Sequence, residues 1–279
     1  MRPFQQVDVF SPQAQCGNPV AVVLEGAGLT SEQMLRFTRW TNLSEATFVA
    51  PPSDPAADYA VRIFTAAGEL PFAGHPTLGT CHAWLGAGGV PRDAARIVQQ
   101  CPAGLIAIRR LEGMLAFEAP PTTRSGPVEP DEVGRTASVL GISVDDIVDS
   151  QWVDNGPGWL AVMLRSAEAV LALQPAARGR DVSIGVVGMY PPGSECAYEV
   201  RAIFSNDRGD IVEDPVTGSL NASLAQWLTR SGRVLAPYTV SQGTLLGRLG
   251  RPRISQDEDG RVWVAGATHT VVEGHVHIE

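Results

Sequence analysis

Three short stretches of the chain hold residues suited to proton transfer beside an anion. In "PFAGHPTLGT", His75 stands between Gly74 and Pro76; in "EDPVTGSL", Asp214 precedes Pro215. Both turns have the form X-Pro-x-x-Gly-[Thr/Ser] and lead into a helical pattern. Proline suits the first helical position, which places His75 and Asp214 at N-caps. Aspartate is a good cap, so a plain structural role is a fair reading of Asp214; histidine is a poor cap and asks for another role. A helix start leaves backbone N–H groups unpaired and carries partial positive charge, which favours a carboxylate ligand. Gly74, Gly79 and Gly218 would let such a ligand approach the backbone. In "TNLSEATFV", Glu45 stands just before an apolar run. Its residue type alone suggests a polar group at a strand edge. Near a histidine, an aspartate and two helix starts, it would be a general acid/base.

The elements that must position these residues are short strands with few helices. Strand-like runs fall at Phe4–Phe10, Val20–Leu24, Thr47–Ala50, Tyr59–Phe64, Ile106–Arg109, Leu115–Glu118, Trp159–Leu164, Ile184–Met189, Tyr198–Phe204, Tyr238–Ser241, Val262–Ala265 and Val271–Ile278. A helix is expected from Thr30 to about Trp40, with Thr30 and Gln33 as a capping box and Leu29 with Met34 as a hydrophobic staple. Pro130–Leu140 and Ser166–Leu173 are further candidates, and two more helices follow the turns at His75 and Asp214. This mixture reads as α+β. The segment "APPTTRSGPVEP" (Ala119–Pro130) reads as a linker.

A repeat organises the pattern. "YAVRIFTAAGELPFAGHPTLGTCHAWL" from Tyr59 aligns without a gap on "YEVRAIFSNDRGDIVEDPVTGSLNASL" from Tyr198, an offset of 139 residues (198 − 59). Tyr59, Val61, Arg62, Pro76 and Gly79 meet Tyr198, Val200, Arg201, Pro215 and Gly218, and His75 meets Asp214. An internal duplication at half the chain length predicts two similar halves, with sites expected in the cleft between them. Arg62 and Arg201 would then be matched structural ion pairs in preference to substrate contacts.

Composition narrows the function. The chain of 279 residues has a net charge of −9 and a sequence pI near 5.1, with no basic run, which argues against a nucleic-acid surface. No apolar run has the length to span a bilayer. The opening "MRPFQQVDVF" alternates like a strand and shows no signal-peptide core, so the expectation is a cytoplasmic protein. Cys16, Cys81, Cys101 and Cys196 match no zinc or redox spacing; Cys81 and Cys196 are expected in the core, and Cys16, beside a turn, could be exposed. His275 and His277 alternate in "GHVHIE" near His269, but no carboxylate or cysteine partner falls at a ligand spacing. They read as a solvated edge strand, with no metal called for. Phosphate-loop and GxGxxG motifs are absent.

"NLSEATFV", "RIFTAAGELPFAGHPTLGT" and "EDPVTGSLNASLAQWL", with "GNPVAVVL" near the start and "QGTLLGRLGR" late, together resemble the PhzF-like isomerase family of phenazine biosynthesis, which has the diaminopimelate-epimerase-like fold. The resemblance runs from about Asn18 to Arg251. It implies two pseudo-symmetric halves, each a curved, mostly antiparallel, barrel-like sheet around a central helix. The first half would span residues 1–120 and be joined by a C-terminal strand at 268–279; the second would span 121–267. It also implies chemistry without a cofactor, on a small carboxylate-bearing substrate in the cleft. Glu45 matches the family's proton shuttle. His75 and Asp214 match its supporting catalytic residues, and Ser219 with the backbone at Gly74, Thr217 and Gly218 would hold the substrate carboxylate. Asn18 is carried over as a further binding residue. Homodimerisation is an expectation from the resemblance alone. Leu220 and Asn221 stand where the family often has a small residue and a histidine, which leaves the substrate open.

Two other readings stand beside this one. An amino-acid epimerase or racemase would share the fold, but the two-thiol form needs a cysteine on each turn and neither turn has one. A non-enzymatic binding protein keeping the fold is the alternative of a different class.

Overall fold

The structure, a computed structural model, describes residues 1–179, 181–206 and 208–279. It is mixed α+β and divides into two compact units, one formed by Met1–Glu118 with Trp263–Glu279 and the other by Ala119–Val262.

The first unit contains β1 (Arg2–Val9), β2 (Asn18–Val23), α1 (Ser31–Thr41), β3 (Glu45–Ala50), β4 (Tyr59–Thr65), β5 (Glu69–Leu70), α2 (Gly74–Gly86), β6 (Arg96–Cys101), β7 (Gly104–Leu111) and β8 (Met114–Glu118). The second contains β9 (Arg124–Pro127), α3 (Pro130–Leu140), β10 (Asp149–Asp154), β11 (Leu160–Leu164), α4 (Ala167–Leu171), β12 (Ser183–Met189), β13 (Tyr198–Ser205), β14 (Ile211–Asp214), α5 (Gly218–Arg230), β15 (Tyr238–Thr239), β16 (Ser241–Gln242) and β17 (Arg253–Gln256). The chain ends with β18 (Val262–Gly266) and β19 (Thr268–Val276), which complete the first unit's sheet.

Within the first unit the strand order is β18-β8-β7-β6-β4-β3-β2-β1-β19, with β5 beside β4. Helix α2 touches β1, β2, β3, β8 and β19. One helix can meet both β8 and β19 only if the sheet curves around it. Its residues from Gly74 to Cys81 are all buried, as expected of a helix surrounded by sheet. Close packing explains Gly79: an added Cβ would lie 2.4 Å from Val20 Cγ1 and 3.1 Å from Val9 Cγ2. Gly79 therefore lets helix approach sheet; the expectation that it admits a ligand is corrected. On the opposite face, Met34 and Phe37 of α1 cover Phe48 and Phe64, and the Thr30–Gln33 capping box is formed.

The second unit repeats this pairing. Its order is β14-β13-β12-β11-β10-β9, with β16 also beside β13. The series β1-β2-β3-β4-β6 pairs antiparallel, parallel, antiparallel, parallel; so does β10-β11-β12-β13-β16. The first parallel link of each series is spanned by α1 or α4, and the second by α2 or α5. Helix α5 is buried along most of its length. Here the glycine that admits the helix is on the sheet: a Cβ on Gly185 would lie 2.4 Å from Leu220 Cδ1. The two equivalent arginines both pair with a glutamate on the neighbouring strand, Arg62 with Glu69 and Arg201 with Glu213.

Three local expectations change. The Ala119–Pro130 stretch holds β9, paired antiparallel with β10; as the terminal strand of its sheet, β9 tolerates Pro127. Helix α2 begins at Gly74 with Ala73 as N-cap, so His75 lies inside the first turn, where Pro76 costs nothing because that turn's N–H groups lack intrahelical partners. Helix α5 begins only at Gly218, with Thr217 as N-cap. Asp214 instead closes β14, opposite Ala202, because strand pairing holds Glu213 and Asp214, whose counterparts Gly74 and His75 are helical in the first unit.

Among the described residues no helix is long and apolar enough to cross a membrane. His275 lies exposed in β19, and His277 Nε2 is 3.1 Å from Glu279 Oε1.

Candidate active site

In the first unit, Asn18 and Glu45 are the first residues of the parallel neighbours β2 and β3, and His75 lies in the first turn of α2. The turn before Asn18 is fixed by Asp8, whose Oδ2 accepts the Gly17 N–H at 2.9 Å. A Cβ at Gly17 would come within 2.1 Å of Val9 O, so the "CGNP" turn requires glycine.

His75 Nε2 lies 3.2 Å from Glu45 Oε2, with side-chain exposures of 4% and 14%. The approach is too oblique to count as a formed hydrogen bond; catalytic pairs are often loose until substrate binds. Asn18 Nδ2 lies 3.4 Å from His75 Nδ1. Burial pushes the His75 imidazole down to about 3, so the ring is neutral at pH 7. A neutral ring that accepts from the Asn18 amide at Nδ1 carries its proton on Nε2, toward Glu45. The site thus sets a carboxyl group beside an uncharged imidazole N–H.

Helices α2, α3 and α5 have no side-chain cap, whereas Thr30 caps α1 and Ser166 caps α4. In the first unit the uncapped start belongs to Gly74 and His75.

In the second unit the start of α5 gathers Asp214, Thr217, Gly218 and Ser219. Trp159 Nε1 donates to Ser219 Oγ at 3.1 Å, and Asn155 Nδ2 donates to Ser219 O at 2.9 Å. Indole nitrogen only donates, so the Ser219 hydroxyl keeps its own proton for another acceptor. Thr217 Oγ1 lies 2.5 Å from Asp214 Oδ2, and the Thr217 N–H donates to Gln242 Oε1 at 3.0 Å.

Within the first unit Glu45, His75, Asn18 and Gly74 therefore come together; within the second, Asp214, Thr217, Gly218 and Ser219 do. Trp159, Asn155 and Gln242 were not anticipated from the sequence. Gln242 does open "QGTLLGRLGR", and a polar residue heading such a motif was the available signal. Cys81 is fully buried and its thiol is pushed up to about 12 by burial, which makes it a core residue. Cys101 and Cys196 are also buried, and Cys16 is partly exposed. Among the described residues no group of His, Cys, Asp and Glu is arranged to hold a metal ion.

Residues 7–274 match the PhzC-PhzF family, described as phenazine biosynthesis-like protein. The chain is 31% identical to antisense-enhancing sequence 1 of Schizosaccharomyces pombe over 291 residues, covering 97% of each protein. It is 35% identical to the trans-2,3-dihydro-3-hydroxyanthranilate isomerase of Pseudomonas fluorescens over 256 residues, covering 87% of this chain and 86% of the relative. The crystal structure of the Bacillus anthracis phenazine biosynthesis protein of the PhzF family superposes with a TM-score of 0.82 at 21% identity, covering 99% of each chain. A match this complete in sequence and fold means that the chain belongs to the PhzC-PhzF family of phenazine biosynthesis-like proteins, an enzyme family whose named members include isomerases.

Proposed function

We propose that this protein is a cofactor-independent isomerase in which Glu45 moves a proton between two carbons of a small carboxylate-bearing substrate. Glu45 removes a proton from carbon, the double bond migrates, and the same carboxyl returns a proton at the far end of the allylic system. Atoms and electrons balance without a redox partner. His75 and Asp214 orient the substrate's amine or hydroxyl. The Ser219 hydroxyl and the uncapped helix starts at Gly74 and Gly218 hold the substrate carboxylate, with Thr217 beside them and Asn18 keeping His75 in its tautomer. The observation that carries this reading is the close approach of Glu45 to a buried, neutral His75. Such a donor steadies either protonation state of the carboxyl without fixing it as a permanent ion pair.

The chemistry of the turns supports isomerisation over two-thiol racemisation, since Ala73, Gly74 and His75 form one turn and Asp214, Pro215 and Val216 the other. The relatives that act on trans-2,3-dihydro-3-hydroxyanthranilate make that compound the first substrate to test. Incubation with it in deuterated water, followed by NMR, should show double-bond migration with deuterium entering at carbon, and Glu45→Gln should abolish both. Inversion at the α-carbon of amino acids, with no migration, would instead establish an epimerase. Absence of turnover on either kind of compound, with Glu45→Gln silent in every assay, would favour a binding protein.

A further inference from the structure

The late motif "QGTLLGRLG" (Gln242–Gly250) has no role in the chemistry above, yet it clasps the Asp214–Thr217 turn. Gly243 has φ +86, and a Cβ there would lie 2.5 Å from Pro215 O. A Cβ on Gly250 would lie 2.5 Å from Val216 Cγ2. Both glycines are therefore demanded by the turn they enclose.

Between them the fully buried Gln242 uses every hydrogen-bonding position of its amide. Oε1 accepts from the Thr217 N–H at 3.0 Å and from Asn221 Nδ2 at 2.7 Å. Nε2 donates to Asp214 O at 3.2 Å and to Thr217 Oγ1 at 2.9 Å. The backbone settles the amide's orientation, because a main-chain N–H must face Oε1 and a main-chain carbonyl must face Nε2. Turning it over would set donor against donor and acceptor against acceptor.

The consequence reaches Asp214. Thr217 Oγ1 receives a proton donor from Gln242, so its own proton goes to the neighbour 2.5 Å away, Asp214 Oδ2. We infer that Gln242 is a positioning residue that polarises a one-way relay, Gln242 Nε2–H to Thr217 Oγ1–H to Asp214 Oδ2, and so presents Asp214 to the substrate as an oriented hydrogen-bond acceptor. Its bearing on turnover rests on the functional reading of Asp214 given above; the direction of the relay does not.

The test has two arms, so that the two ideas can fail separately. In the first, proteins carrying 13C-carboxyl aspartate are compared by infrared spectroscopy at pH 7, the Asp214 band being assigned by subtracting Asp214→Asn. Thr217→Val keeps the shape and removes the hydroxyl; it should displace the carboxylate stretch, while Thr217→Ser should leave it in place. A band unmoved in folded Thr217→Val overturns the relay. In the second arm, Gln242→Glu keeps the two acceptors and loses both donors. With trans-2,3-dihydro-3-hydroxyanthranilate it should lower kcat by about tenfold, the scale of one lost buried hydrogen bond, with a smaller change in KM. An unchanged kcat in a variant that melts like wild type overturns the positioning role. If the wild type leaves that compound untouched, the substrate assignment falls, and the infrared arm still decides the relay.

Discussion

Glu45 and His75 meet at 3.2 Å from two different elements, the first residue of β3 and the first turn of α2. The imidazole is neutral, so a change in the carboxyl's protonation breaks no ion pair with His75. On the function proposed above, Glu45→Gln keeps the shape and removes the acid/base group. Proton transfer by a positioned carboxyl is worth about 10²–10⁴-fold, so deuterium incorporation into trans-2,3-dihydro-3-hydroxyanthranilate should fall by at least that lower figure while the thermal midpoint changes little. A variant that exchanges the substrate proton as fast as wild type would remove Glu45 from the mechanism.

Burial of His75 also has a price in acid stability. The imidazole titrates at about 3 in the folded protein, against about 6.5 in an unfolded chain. Between those values the unfolded chain binds a proton that the folded one refuses. The contribution is therefore fully present above pH 6.5 and is lost as pH falls toward 3, by up to about 1.4 kcal/mol per pH unit. Urea titrations of wild type and His75→Gln from pH 7 to pH 4 should show the wild type losing more stability than the variant. A difference between the two that is constant with pH would contradict a neutral buried His75.

Most of what places the site was legible in the sequence. The capping box at Thr30, the helix at Pro130–Leu140 and the core strands declared themselves by local chemistry and alternation. The repeat linked His75 to Asp214 and Arg62 to Arg201. What escaped was set by partners distant in the chain. The stretches "RIVQQC" and "DSQWVD" became β6 and β10 because neighbouring strands pair with them, and their mixed polar and apolar pattern does not separate strand from loop. The register of α5 was misplaced for a related reason: Asp214 looks like a cap, but pairing with Ala202 holds it in β14. Gln242 and Trp159 act across 25 and 60 residues of sequence, a separation no local pattern reveals.

Gly79 predicts a stability change with a defined remedy. Alanine would gain about 1 kcal/mol of helix propensity over glycine. Its Cβ would also meet Val20 Cγ1 at 2.4 Å and Val9 Cγ2 at 3.1 Å, on strand residues with no exposure and little room to move. Overpacking typically costs about 1–3 kcal/mol, so Gly79→Ala should destabilise in chemical denaturation. Adding Val20→Ala should recover part of the loss, and a double-mutant cycle should give a coupling above about 0.5 kcal/mol. Simple additivity of the two changes would show that Gly79 is not clamped by Val20.

The two matched arginines should differ sharply in what they contribute. Arg62 and Glu69 are 35% and 30% exposed, whereas Arg201 and Glu213 are 7% and 9% exposed. Arg201 Nη1 also donates to the Leu173 carbonyl at 3.0 Å, tying β13 to the chain after α4. Replacing Arg201 with Met would leave Glu213 buried without its cation and that carbonyl without its donor, a loss of about 3–5 kcal/mol on the usual scale for breaking a buried pair from one side. Arg62→Met would leave Glu69 to water, at a cost of about 1 kcal/mol or less. The double variant Arg201→Met/Glu213→Leu should be more stable than Arg201→Met alone, because the stranded charge is gone. If the Arg62 and Arg201 variants instead unfold at the same denaturant concentration, the burial of the second pair carries no energetic weight, and the two halves use their equivalent arginines alike.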